Sequence, residues 1–175
     1  SNSAKEMHLK AAQRLLKHPN NTNNCSTKHN ENLKKDELNI EVFADASFAS
    51  CPKTGKSFTG HIIMVNGGAV CWRSKLQTIL TFSSGEAECV AASAACRELT
   101  FVKQFHDELN QSHSSPIKLH CESQCAIQIA ERHGFSQKSK STKLSHHNVR
   151  NEMKSNNMQL IKIAGTNNCS DMLTK

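Results

Sequence analysis

The stretch from Ser83 to about Leu109 constrains the fold more than any other part of the chain. Its apolar residues recur at steps of three and four, and it opens with Ser83 and Glu86 in the Ser-x-x-Glu spacing of a helix start. The spacing predicts one long amphipathic helix, or two helices nearly in line. Strand patterns on both sides of it indicate a sheet as the partner of its apolar face.

Five strands are predicted around this helix. An Asn66-Gly67-Gly68 turn joins the second strand to the third, so the first three strands form an antiparallel meander, and an apolar stretch at 78–82 leads into the helix. A strand followed by a short helix then indicates a parallel strand with a crossover. The predicted strands cover residues 39–45, 61–65, 69–73, 117–121 and 159–163, and the later helices 125–130, 147–156 and 170–175, the last with Ser170 as a cap. The fold class is therefore mixed α/β.

The chain before this region divides into two segments. Residues 5–18 have the spacing of a short amphipathic helix that Pro19 ends. An Asn-rich, charged stretch with almost no apolar residues follows, which is typical of a linker. We therefore predict a leading helix in 1–19, a linker at 20–38 and one domain at 39–175.

Composition limits the function. The 175 residues suffice for one domain, and 22 Lys and Arg against 15 Asp and Glu give a net charge of +7, which favours an acidic partner such as nucleic acid. No window is long and apolar enough for a membrane span, and the first residues lack the apolar core of a secretory signal.

The eight cysteines are expected to be reduced thiols. The chain is too long and too rich in apolar runs to need a disulfide scaffold, and no CxxC pair occurs. His120, Cys121 and Cys125, with His146 and His147 downstream, lack the paired spacing of a structural zinc site. Most of the cysteines are expected to be small core residues.

Four acidic residues lie at the junctions of the predicted elements. Each alone would be read as a cap, an ion pair or a solvated charge, but their shared position at element ends favours convergence at one edge of the sheet. Such a cluster needs cations, and carboxylate oxygens suit Mg²⁺ or Mn²⁺. Two such ions can promote phosphodiester hydrolysis, so the pattern predicts a nuclease. The four residues are Asp45, Glu88, Glu122 and Asp171.

Five short runs of the chain form a specific pattern because they occur in a fixed order. In chain order they are FADASFA from Phe43, KSFTG from Lys56, CWRSKLQ from Cys71, SSGEAE from Ser83 and SDMLTK from Ser170. Together they resemble the ribonuclease H domain of Ty1/copia-type retrotransposon Pol polyproteins. The segment at 8–22 is similar to the region after the reverse transcriptase in those polyproteins. The resemblance implies a ribonuclease H-like fold, with three antiparallel and two parallel strands flanked by helices.

The resemblance also implies a function and a site. The activity would be two-metal cleavage of the RNA strand of RNA/DNA hybrids, with the reverse transcriptase domain of the same polyprotein as partner. Asp45, Glu88 and Asp171 match catalytic, metal-binding positions. Glu86 has a sufficient role in the capping box, so Glu88 is the predicted ligand. Replication in cytoplasmic particles, before nuclear entry of the DNA, would be the setting.

Two positions depart from the family pattern. Glu122 stands where the family has Asp, and the added methylene moves the carboxylate by more than about 1 Å, a misplacement that can cost on the order of 10²-fold in rate. Ser141 stands where the family has His. His147 matches a later family histidine and is a candidate to protonate the leaving group or assist product release.

The segment from Arg132 to Arg150 carries five Lys or Arg, three His and no acid. Such a segment is suited to contact the phosphates of a duplex without reading its bases, although a solvated loop has the same composition. Trp72 is a candidate stacking residue, although a lone aromatic on a strand is usually core. The predicted phosphate contacts are Lys138, Lys140, Lys143 and Arg150.

The departures leave alternatives to an active nuclease. One is a weakened or inactive domain that binds nucleic acid with its basic face, and another is a module that only supports a neighbouring reverse transcriptase. An enzyme needs divalent metal and its carboxylates, whereas a binding domain needs only the basic residues.

Overall fold

The computed structural model describes residues 9–10, 13–14, 17, 26–28, 38–110, 113, 115–131, 140–155 and 157–175. Five strands form one sheet in the order β3-β2-β1-β4-β5. Strands β1, β2 and β3 are antiparallel neighbours, and β1, β4 and β5 are parallel neighbours. The strands are β1 (Ile40–Ser47), β2 (Phe58–Val65), β3 (Gly68–Leu76), β4 (Ile117–Cys121) and β5 (Met158–Lys162).

Three α-helices accompany the sheet in the described part of the chain: α1 (Ser84–Glu108), α2 (Gln124–Glu131) and α3 (Lys140–Lys154). Small and branched apolar side chains of α1 pack on the inward residues of β1 and β2, because both elements bury one regularly spaced face. The predicted mixed sheet, with three antiparallel strands, two parallel strands and flanking helices, is confirmed. None of the described helices is both long enough and apolar enough to cross a membrane.

The turn between β2 and β3 sets which residues of the two strands are paired. Asn66 and Gly67 both have positive φ, 51° and 78°, as a two-residue turn with the twist of paired strands requires. Asn66 also exchanges hydrogen bonds with Asn39, whose N–H donates to the Asn66 Oδ1 over 3.0 Å. The turn is therefore attached to the start of β1, which holds the meander in place.

The start of α1 confirms the predicted cap with one difference. The Ser83 hydroxyl accepts from the Glu86 N–H over 3.2 Å, as expected. The Glu86 carboxylate, however, accepts from the N–H of Phe82 over 3.1 Å rather than from that of Ser83. Glu86 therefore serves the helix start.

Several predicted boundaries were too narrow. The meander strands extend beyond their predicted ends, because backbone pairing continues through residues outside the alternating apolar runs, such as Thr59 and Gly60 in β2 and Ser74 and Lys75 in β3. Helix α3 begins at Lys140 rather than at His147, since its first turns are polar and have no apolar periodicity to detect. The stretch 78–82 is not a strand, and most of the predicted leading helix and linker lies outside the described residues.

The predicted last helix was wrong. Only a single 3₁₀ turn, Asp171–Leu173, forms there, and the Ser170 side chain does not cap it. The segment instead lies across β2 and β3: the Ser74 hydroxyl donates to the carbonyl of Leu173. A Cβ at Gly60 would stand 2.8 Å from the Ser170 carbonyl oxygen, so only glycine allows this close approach.

Two further expectations concern single residues. Of the two roles considered for Trp72, stacking or core, the core role is wrong: Trp72 is 62% exposed, because β3 is an edge strand and Trp72 lies on the face opposite α1. Cys89, Cys96 and Cys121 are buried free thiols, as predicted for small core residues.

Candidate active site

Asp45 lies inside β1, two residues before the strand ends at Ser47, and is paired with Gly60 of β2. It is only 6% exposed. The hydroxyl of Thr174 donates to its Oδ2. Since Gly60 has no side chain, the C-terminal segment comes close enough to reach this carboxylate.

Glu88 has a buried carboxyl group whose surroundings raise its pKa. It lies in the second turn of α1, and its Oε1 accepts from the N–H of Ala46, next to Asp45, over 3.3 Å. Its Oε2 is buried and has no hydrogen-bond partner. Burial, followed by the charges of Asp45 and Glu122, raises the pKa of Glu88 to about 8. A buried carboxyl with an unpartnered oxygen beside two other acids is suited to receive a cation.

Glu122 directly follows β4. Its Oε1 accepts from the side-chain amide of Asn168 over 3.2 Å. Its carboxylate lies against the backbone of Gly165, where a Cβ would stand 2.9 Å from Oε2. The absence of a side chain at Gly165 therefore leaves room for the carboxylate of this longer residue.

Asp171 opens the final 3₁₀ turn and is ion-paired with Lys175, one turn further along. The hydrogen bond to Asp171 and its charge, with weaker effects of Asp45 and Glu122, raise the pKa of Lys175. The Lys175 ammonium thus lies in the field of three of the four carboxylates.

The four carboxylates belong to one electrostatic cluster, but side chains of other residues already bind three of them. Thr174 binds Asp45, Asn168 binds Glu122 and Lys175 binds Asp171. In the part of the chain that the structure describes, no three acidic, imidazole or thiol groups are arranged as a ready metal site. The donor set nevertheless fits Mg²⁺ or Mn²⁺: all donors are hard oxygens, and the Glu88 Oε2 lacks a partner. Lys175 contacts only the Oδ2 of Asp171, so a cation could be bound through the other oxygen of this carboxylate.

Sequence reasoning did not predict the three side chains that bind these carboxylates. Thr174 and Lys175 follow Asp171 by three and four residues, a spacing that brings side chains together on a helical turn, so their signal was present. Asn168 had no signal, because an asparagine in a polar loop is ordinary. Its role depends on contacts across 46 and 124 residues.

Four of the remaining predicted site residues, Lys140, Lys143, His147 and Arg150, belong to α3. His147 is exposed on α3, and the contact recorded for its Nδ1 is with the amide of Asn151, 3.0 Å away in the same helix. Arg150 is half-buried on α3 and has an interaction partner. Lys140 and Lys143 belong to the first turns of α3, and Lys138 lies outside the described residues.

Comparisons with known proteins agree with this fold. No protein-family model matches the chain. It is 32% identical over 136 residues, 78% of its length, to "Retrovirus-related Pol polyprotein from transposon TNT 1-94" of Nicotiana tabacum, and it spans 10% of that relative.

Two solved structures have a similar fold. LC11-RNase H1 in complex with an RNA/DNA hybrid is 17% identical with a TM-score of 0.56, covering 77% of this chain and 92% of that one. The foamy viral protease-reverse transcriptase in complex with an RNA/DNA hybrid is 13% identical with a TM-score of 0.53, covering 86% of this chain and 21% of that one. The chain thus has the fold of ribonuclease H domains, and over 78% of its length it is similar to a plant retrotransposon Pol polyprotein, as the resemblance of its short runs predicted.

Proposed function

We propose that this domain is a divalent-metal-dependent ribonuclease that hydrolyses the RNA strand of RNA/DNA hybrids during reverse transcription. The buried Glu88 carries the proposal: one of its oxygens has no partner, and it lies in the field of Asp45 and Glu122 at one edge of a ribonuclease H-like sheet. Burying acids together is costly, and a bound cation removes that cost.

Asp45, Glu88, Glu122 and Asp171 would hold two Mg²⁺ or Mn²⁺ ions. When bound, such ions activate water and neutralise the charge that develops on the leaving oxygen of a phosphodiester. The chain supplies a fixed frame, since Asp45 lies within a paired strand and Glu88 is bonded to the backbone of that strand. Lys175 holds Asp171 while the cation is absent.

The hybrid would lie along the basic residues Lys138, Lys140, Lys143 and Arg150, which would contact its phosphates. His147, whose ring is held by Asn151, would donate a proton to the leaving group or assist product release. The reverse transcriptase domain of the same polyprotein would deliver the hybrid, and the work would take place in cytoplasmic particles. The structures of LC11-RNase H1 and of the foamy viral protease-reverse transcriptase, both in complex with an RNA/DNA hybrid, support this substrate class.

The direct test is cleavage of an end-labelled RNA/DNA hybrid by the purified chain in Mg²⁺, in Mn²⁺ and in EDTA. We expect cutting of the RNA strand in either metal and none in EDTA. Single-stranded RNA and a DNA duplex of the same sequence serve as controls and should remain intact. A chain that binds the hybrid but leaves it uncut in both metals would contradict the proposal.

A second candidate function has its own observation. Because Lys175 neutralises Asp171 and Thr174 binds Asp45, the acidic cluster could persist without metal, in a domain that only binds nucleic acid or supports the reverse transcriptase. Hybrid binding that is unchanged by EDTA, without cleavage, would favour this function.

The variant Glu122→Asp tests whether the longer acid weakens the site. Glu122 is bonded to Asn168 and has room beside Gly165, so the site is adapted to glutamate. We expect Glu122→Asp to lower the cleavage rate several-fold, because the shortened carboxylate leaves the Asn168 amide without its acceptor. Initial rates at saturating Mn²⁺ measure this. A rate gain approaching 10²-fold would instead identify a weakened enzyme, restored by the residue typical of the family.

A further inference from the structure

We propose that Asn168 is a positioning residue of the acidic site, whose side-chain amide holds the Glu122 carboxylate in one frame with β1 and with the segment that carries Asp171. The inference rests on the proposed function in one respect only: the metal that this frame would receive. The arrangement of hydrogen bonds that carries it exists without metal.

The amide nitrogen of Asn168 reaches two of the elements that carry acids. Asn168 is 4% exposed. Its Nδ2 donates to the Glu122 Oε1 over 3.2 Å and to the carbonyl oxygen of Ala44, also over 3.2 Å. Ala44 directly precedes Asp45 in β1, and Glu122 directly follows β4. One planar group thus sets the distance between the ends of two neighbouring strands at the point where their carboxylates stand.

The amide oxygen of Asn168 reaches the third element. Its Oδ1 accepts from the Ser170 N–H over 3.2 Å and from the Ser170 hydroxyl over 2.7 Å. Ser170 is fully buried and directly precedes Asp171. A primary amide has two donor hydrogens and two acceptor positions, and Asn168 uses all four. Neither aspartate, which has no donor when ionised, nor serine, which has one, can replace it.

The turn before Asn168 completes the support of Glu122. The Asn168 N–H donates to the Gly165 carbonyl over 3.1 Å, which closes the 3₁₀ turn Gly165–Asn167. The same turn places the bare Cα of Gly165 against the Glu122 carboxylate. The carboxylate therefore has a donor at Asn168 and the backbone of Gly165 in contact, and it cannot swing toward that backbone.

The consequence concerns affinity for cations. A carboxylate whose position is set by a hydrogen bond from a neighbouring group does not have to be ordered when a metal binds, and such supporting groups typically contribute about 10- to 100-fold to metal affinity. Asn168 would not touch the metal. Asn168 would change metal affinity only through the Glu122 carboxylate. A residue with a general role in stability would change metal affinity whether or not this carboxylate is present.

The test is a double-mutant cycle read by Mn²⁺ affinity in isothermal titration calorimetry. We expect Asn168→Ala to weaken Mn²⁺ binding by about 10-fold or more. In the Glu122→Gln background the same change should have less than a twofold effect, since the carboxylate it positions is absent. The matched control is Asn167→Ala, an exposed asparagine of the same turn, which should bind Mn²⁺ as the parent does. Equal losses in both backgrounds, or no loss in either, would overturn the proposal.

A second measurement tests the proposal even if a variant fails to fold in the first experiment or the parent binds no Mn²⁺. In ¹H–¹⁵N spectra of the metal-free chain, the side-chain amide of Asn168 should move on Glu122→Gln, while that of Asn167 should stay. An unmoved Asn168 amide would overturn the positioning role. Absence of Mn²⁺ binding by the parent, with the Asn168 amide moving as expected, would count against the proposed nuclease and leave the positioning of Glu122 standing.

Discussion

Cleavage of an RNA/DNA hybrid should fall by roughly 10³-fold or more when Asp45 is replaced with Asn, an effect as large as the loss of one preorganised charge-stabilising group in other active sites. The substitution keeps the shape of the side chain and removes its charge. Asp45 is buried inside a paired strand, so no neighbouring acid can move to take its place. Initial rates in saturating Mg²⁺ measure the effect.

The matched control for this variant is Asp107→Asn, which removes one acid from the exposed end of α1. It should cleave within about twofold of the parent, since an exposed charge far from the site contributes little. Both variants should bind the hybrid with the parent's affinity in EDTA. Cleavage by Asp45→Asn at a rate within tenfold of the parent's would show that Asp45 has no catalytic role.

Replacing Glu88 with Gln should have two opposite effects: loss of cleavage and a more stable metal-free protein. The pKa of Glu88 is about 8 in the folded chain against an ordinary value of 4.5. At pH values between 4.5 and 8, Glu88 is protonated in the folded protein and ionised in the unfolded chain. The stabilisation that results from this difference is complete below pH 4.5 and is lost as the pH rises through 8. Glutamine resembles the protonated form at every pH. At about 1.4 kcal/mol per pH unit over the interval from 4.5 to 8, the variant should gain on the order of 5 kcal/mol in the free energy of unfolding at pH 9.

Urea unfolding in EDTA at pH 5 and at pH 9 measures this gain. The difference between Glu88→Gln and the parent should be small at pH 5 and large at pH 9. Glu86→Gln is the control, because Glu86 is equally buried two residues earlier but serves the helix start. Added Mn²⁺ should stabilise the parent at pH 9 and not the Glu88→Gln variant, since only the parent retains the ligand. A parent whose stability is the same at both pH values would contradict the assigned burial of Glu88.

The distinction between Glu86 and Glu88 shows how far sequence reasoning reaches into the site. The Ser-x-x-Glu spacing assigns Glu86 to the helix start, and the structure confirms that assignment. Glu88 was then predicted as the metal ligand, because it matches a catalytic position of the family that the chain resembles, and in the structure its carboxyl group is buried with an unpartnered oxygen. The role of Glu86 depends on local spacing, and that of Glu88 on the resemblance, which is why both could be predicted without a structure.

The end of the chain shows the opposite case. Residues 170–175 have a plausible helix start, yet the Ser170 hydroxyl bonds to Asn168 and only a 3₁₀ turn forms. The reason is the approach to Gly60, a contact between segments about 110 residues apart that local propensity cannot express. Trp72 is similar, because its exposure follows from the position of β3 at the edge of the sheet.

The sequence by itself determined the five strands and the three α-helices of this domain, although not its last segment, and it located four acids at or near the ends of these elements. Alternation, helical spacing and capping are properties of neighbouring residues, so they can be recognised locally. Only the tertiary structure decided what holds each acid: Thr174 for Asp45, Asn168 for Glu122 and Lys175 for Asp171. Two of these three contacts join residues far apart in the chain, and hydrogen bonds of that kind depend on distances that exist only after the sheet has formed.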